Sequence, residues 1–143
     1  MASLTKQRQS ALAEVVQRAT GFSCQGSLGA FFDQYLISEA LARKLQLYYQ
    51  SDTGKSASEN IQLKQLNAAI QYFNINFSET DARALFLGGE GKNENKSARQ
   101  LRNGYVHSLS QTDREAIERN IKTLNKLLRN FITSIASGDA PKK

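Results

Sequence analysis

The sequence predicts an all-α fold of five to six helices with no sheet. Apolar residues recur at spacings of three and four through most of the chain, as one buried helix face requires. The single proline, Pro141, stands in the tail, so no helix interior carries that breaker. Runs in which β-branched residues alternate with polar ones, the mark of a half-buried strand, are few.

The first helix is expected from about Thr5 to Ala19, with Ala11, Leu12, Val15 and Val16 as its apolar stripe. TGFSCQGSLG follows, and its three glycines break the chain. A second helix, in one piece or two, covers Ala30 to Tyr49 through Phe31, Phe32, Tyr35, Leu36, Leu41, Leu45 and Tyr48. QSDTGKSASEN reads as a loop ending in a capping box, Ser56 with Glu59, that opens a third helix with Ile61, Leu66, Ala69, Ile70 and Phe73. FSETDARALFLGG is a compact helix. Ser78 is its N-cap, acids in the first turn suit the positive end of the helix dipole, and Gly88-Gly89 provide the exit.

The polar GGEGKNENKS leads into a helix bearing RQLRNGYVH. A last helix opens at a second capping box, Thr112 with Glu115. Its apolar residues Ile117, Ile121, Leu124, Leu128, Phe131 and Ile135 form a narrow seam, suited to bundle packing or to a partner helix. Residues 137–143, SGDAPKK, read as a disordered tail, and no internal repeat is found.

One domain over residues 1–143 is expected, long enough to bury a core without disulfide or metal staples. No apolar run approaches the roughly 18 residues of a membrane span. The amphipathic start, MASLTKQRQSALAEVVQRAT, lacks the continuous apolar segment of a secretory leader, so a cytoplasmic protein without a membrane partner is expected. Cys24 is the only cysteine, which leaves no intrachain disulfide. The net charge of +6 favours RNA, DNA or an anionic membrane surface, and equally fits an ordinary basic protein.

Two phosphate-loop look-alikes fail. TGKS (Thr53 to Ser56) would need its first glycine where Tyr49 stands. GGEGKN has Phe86 at that position and Asn93 in place of the hydroxyl residue, and neither segment follows a strand. One histidine, one cysteine and scattered carboxylates make no dense ligand set, so no metal and no cofactor are expected.

The lone histidine, His107, lies on the helix of RQLRNGYVH. At about 100° per residue, Lys96, Arg99, Asn103 and His107 share one face, and Ala98, Leu101 and Tyr105 share the opposite one. Arg102 lies at the edge, near Val106. This is the equipment of RNA cleavage through the 2′-hydroxyl. Imidazole is the side chain suited to take that proton at neutral pH. The planar fork of Arg102 suits the charge that gathers on the phosphoryl oxygens. Asn103 would orient the imidazole or hold a phosphate oxygen, and Lys96 and Arg99 would bind RNA. Gly104, costly inside a helix, allows close approach of RNA or of a second helix, or marks a fraying end. A base and an acid are both needed, and one chain offers one histidine. A homodimer that joins two such helices would supply both.

LRNGYVH, between a polar loop and a capped, leucine-rich helix, resembles the HEPN superfamily over about Lys92 to Ile135. The resemblance implies a small HEPN-like all-α bundle on a four-helix core. It implies a metal-independent endoribonuclease whose Arg-Asn-x-x-x-His motif, here Arg102, Asn103 and His107, faces its copy across a homodimer. It implies a setting in prokaryotic antiviral defence, toxin–antitoxin pairs or abortive infection, with an antitoxin or activator as control partner. Two positions depart from common family patterns. Ser108 follows the histidine where many relatives have glycine, and Leu109 stands where one branch has a modified tyrosine. Two other readings stay open: a non-catalytic helical adaptor using the Ile117-to-Ile135 seam, and a basic nucleic-acid binder.

Overall fold

The computed structural model describes residues 4–19, 28–88 and 96–136, and among them it is all-helical with no strand. Seven helices follow in order: α1 (Lys6–Ala19), α2 (Leu28–Thr53), α3 (Leu63–Tyr72), α4 (Glu79–Phe86), α5 (Ala98–Ser108), α6 (Gln111–Arg119) and α7 (Ile121–Ala136). The count exceeds the expected five to six because Asn120 divides the last helix. Its φ of −109° and ψ of 18° leave the helical region, and its side-chain amide donates to Ala116 O at 2.9 Å. Cys24, most of the glycine-rich break and the tail lie outside the described residues.

α2 is a single helix that touches α1, α3, α5 and α7. Neighbours on several sides explain why Phe31, Tyr35, Ser38, Leu41, Ala42, Leu45, Gln46 and Gln50 are all buried along it. One apolar cluster holds the described chain together. At its centre Phe131 of α7 meets Phe77 and Phe86 edge-on, with ring centroids at 5.0 and 5.1 Å. The seam of Ile117, Leu124, Leu128, Phe131 and Ile135 is buried in this core. It is therefore not free for a partner helix, which corrects that part of the adaptor reading.

Two of the three expected helix starts move. Ser78 caps α4 as expected, accepting from the Asp81 amide at 3.1 Å. α6 is capped by Ser110, which accepts from the Asp113 amide at 3.2 Å, so Thr112 lies inside the helix. Ser56 and Glu59 cap nothing, since α3 begins only at Leu63. The segment before it is held by two buried glutamines of α2. Gln46 donates to Asn60 O at 3.1 Å and accepts from the Gln62 amide at 2.9 Å. Gln50 accepts from the Ser58 amide at 3.1 Å and donates to its hydroxyl at 3.2 Å. These bonds give the buried glutamines and the passing backbone the partners that burial demands.

Candidate functional site

α5 is fastened at one end. Ser97 accepts from the Gln100 amide while Gln100 accepts from the Ser97 amide, at 3.1 and 2.8 Å, a complete capping box. The Ser97 hydroxyl also donates to Leu87 O at 2.6 Å, and the Gln100 side-chain Nε2 donates to Gly88 O at 3.1 Å. Arg99 adds a charged clamp, its guanidinium donating to Ile61 O at 2.9 Å and Phe86 O at 3.2 Å. A side chain at position 88 would press on that guanidinium, with a Cβ only 2.9 Å from Nη1. Three residues of α5 and its cap thus lock the start of the helix to the exit of α4.

The sequence-derived site divides accordingly. Lys96 stands before α5 and pairs with Asp113 at 2.7 Å, and Arg99 is committed to backbone carbonyls. The structure therefore gives both of these expected RNA ligands partners within the chain. Arg102 and Asn103 are brought together. The Arg102 guanidinium donates to Asn103 Oδ1 at 3.0 Å and lies 5.8 Å from the centroid of the Tyr35 ring. His107 follows one turn after Asn103 and is exposed. Ala98 and Leu101 are buried as expected, and Tyr105 stacks on Phe32 at 5.8 Å.

Gly104 has a local explanation. Asp113, only 4% exposed, presses its carboxylate against the α5 backbone there, and a Cβ at position 104 would overlap Asp113 Oδ2. The close approach is that of α6 folding back on α5 rather than of a ligand. The signals were in the sequence: a glycine inside an amphipathic helix, and the Ser110-x-x-Asp113 cap six residues later.

Tyr35, beneath Arg102, is the other residue the sequence did not single out for the site. Its hydroxyl is buried with no hydrogen-bond partner among the described residues. Burial pushes the phenol pKa up, Glu39 adds to the rise, and Arg99 and Arg102 oppose it. Tyr35 therefore stays neutral and offers Arg102 an aromatic face rather than a counter-charge.

The tip of α5 exposes two large apolar side chains beside His107 and Ser108. Val106 is 47% exposed and Leu109 73% exposed. Leu109 ends the helix in the left-handed region, φ 49° and ψ 40°, its amide donating to Tyr105 O at 2.7 Å. A glycine is the usual choice there. Among the described residues no three His, Cys, Asp or Glu side chains form a set able to hold a metal ion. No helix among them is long and apolar enough to cross a membrane. Compared with protein-family models, curated proteins and solved structures, the chain matches none.

Proposed function

We propose that the protein is a metal-independent endoribonuclease of HEPN type, built on a four-helix core. It cuts RNA by attack of a 2′-hydroxyl on the adjoining phosphate. His107 takes the 2′-hydroxyl proton, Arg102 receives the charge that develops on the phosphoryl oxygens, and Asn103 holds the Arg102 fork. The leaving 5′-oxygen needs an acid, which His107 of a second copy supplies across a two-fold axis. Cytoplasmic action under an antitoxin or activator, in antiviral defence, toxin–antitoxin control or abortive infection, completes the reading.

One observation carries it. The Arg102–Asn103 pair is pre-assembled by a hydrogen bond of 3.0 Å, and the single imidazole lies one turn further on, exposed, near the last turn of the helix. Exposed Val106 and Leu109 beside His107 suit a contact between copies at this place. The same two residues equally support a non-catalytic adaptor docking through the tip of α5.

The deciding experiment incubates wild type, His107→Ala and Arg102→Ala with a structured RNA in EDTA and reads the product ends. Wild type yields 2′,3′-cyclic phosphates, His107→Ala yields none, and Arg102→Ala is slower by about a hundredfold or more. Undiminished cleavage by His107→Ala removes the imidazole from the mechanism. Activity from a protein that sediments only as a monomer removes the composite site. Folded, dimeric wild type with no activity favours the adaptor.

A further inference from the structure

The internal work of Lys96 and Arg99 leaves open which cations meet the substrate. Arg8, Arg43 and Arg114 are also paired, with Asp52, Glu39 and Glu118. α7 differs. Lys122, Lys126 and Arg129 are all exposed, and the helix contains no acidic residue. None of the three has an ionic partner among the described residues. At about 100° per residue they fall within roughly 60° of one another, opposite Leu124, Leu128, Phe131 and Ile135. They form a row about 10 Å long on the axis, the reach of a few successive phosphates. Thr123 and Asn130, both exposed, flank it with a hydroxyl and an amide, groups that bond phosphate oxygens without charge.

We propose that Lys122, Lys126 and Arg129 form a track for the phosphate backbone of single-stranded RNA. Three features select this occupant. The row is one cation wide, whereas a helix in a duplex groove meets phosphates on both flanks and presents base-reading side chains in front. The apolar face of α7 is buried in the core, whereas a helix lying in a membrane surface sets apolar residues beside its basic ones. Thr123 and Asn130 are neutral and polar and α7 itself carries no acid, so the row offers charge complementarity to a polyanion. The choice of RNA over DNA rests on the function proposed for Arg102 and His107; the row itself reads phosphate.

The test uses the full chain carrying His107→Ala, so that bound RNA is not cut, with a short fluorescein-labelled oligouridine and anisotropy as the readout. The variant adds Lys122→Gln, Lys126→Gln and Arg129→Gln. The control adds Lys6→Gln, Lys55→Gln and Lys64→Gln, three exposed cations elsewhere, so both lose equal charge. Circular dichroism verifies that both fold. At about 50 mM salt the α7 variant binds roughly tenfold or more weakly, and its log affinity against log salt flattens by about 2, at ~0.7 per lost contact. The control stays within about twofold. Equal weakening of both, no binding by the parent protein at low salt, or equal binding of duplex RNA with the same dependence overturns the track. So does a preference for phosphatidylserine vesicles over RNA. Cleavage is read separately on protein with His107 intact. Track-dependent binding without cleavage ends the nuclease reading alone, and cleavage with track-independent binding ends the track alone.

Discussion

At the scale of single residues, Gly104 sets two effects against each other. Helix propensity alone predicts that Gly104→Ala stabilises by about 1 kcal/mol. The overlap with the Asp113 carboxylate predicts a loss of about 1–3 kcal/mol, as overpacking does. We expect the overlap to win, because Asp113 is buried and tied to Lys96 at 2.7 Å and cannot swing clear. Urea denaturation reads the sign. The double variant Gly104→Ala/Asp113→Ala should lose less than its two single changes together, since removing the carboxylate removes the clash. Tyr35 makes a different prediction. Its hydroxyl is buried without a partner, so Tyr35→Phe should hold or raise stability, by up to ~1–3 kcal/mol. Burial raises the phenol pKa in the native state. Its contribution is therefore full below the ordinary phenol range, near pH 10, and lost as pH climbs through that range towards the native value. Melting temperatures from about pH 8 to about pH 11 should fall less steeply in Tyr35→Phe than in wild type.

At the scale of elements, α5 is a helix locked at its start by hydrogen bonds and exposed at its tip, and Arg99 is central to the lock. Arg99→Gln should cost about 1.5–3 kcal/mol, the range for hydrogen bonds from a charged donor. It should leave RNA affinity unchanged once the folded fraction is matched, and a specific loss of affinity would return Arg99 to the binding face. The helix wheel groups Arg99 with Asn103 and His107, yet it carries no information on partners. Those partners, Ile61 and Phe86, are remote in the chain. The same limit explains the helix starts. Ser78 is legible because its partner, Asp81, is local. Ser56 and Glu59 mislead because Gln46 and Gln50, on another helix, hold that segment extended. Thr112 and Glu115 mislead because Ser110, two residues earlier, captures the cap. The apolar seam from Ile117 to Ile135 was legible as a pattern, and its burial decides for bundle packing over the partner helix that the spacing fits equally well.

At the scale of the whole molecule, two fastenings of opposite chemistry hold the chain on either side of α2. α1 is clasped by charge. Arg8 donates to both carboxylate oxygens of Asp52 at 2.9 and 3.0 Å and lies 4.5 Å from the centroid of the Tyr48 ring. The bond to Arg8 holds the Asp52 pKa below the ordinary carboxylate value. Its contribution is present above that ordinary value and is lost as pH falls through the depressed native one. The α2–α3 connection is clasped by neutral amides, which neither titrate nor respond to salt screening. Acid below about pH 4, or about 1 M salt, should therefore loosen α1 first. Amide hydrogen exchange, corrected for its intrinsic pH dependence, should rise across α1 while Gln62 and its neighbours stay protected. Arg8→Ala should reproduce the loosening at neutral pH. Uniform exchange across the chain would show that the clasp is not what holds α1.

The contact between Gly104 and Asp113 also bears on how this sequence can diverge. The two positions share one small volume, so what one gains in atoms the other must give up. A descendant with alanine or serine at position 104 is expected to carry a shorter side chain at position 113. Lys96, its counter-ion removed, would then be free to drift. Three positions spread over two helices and a loop would change as a group, while His107, three residues from the glycine, need not follow them.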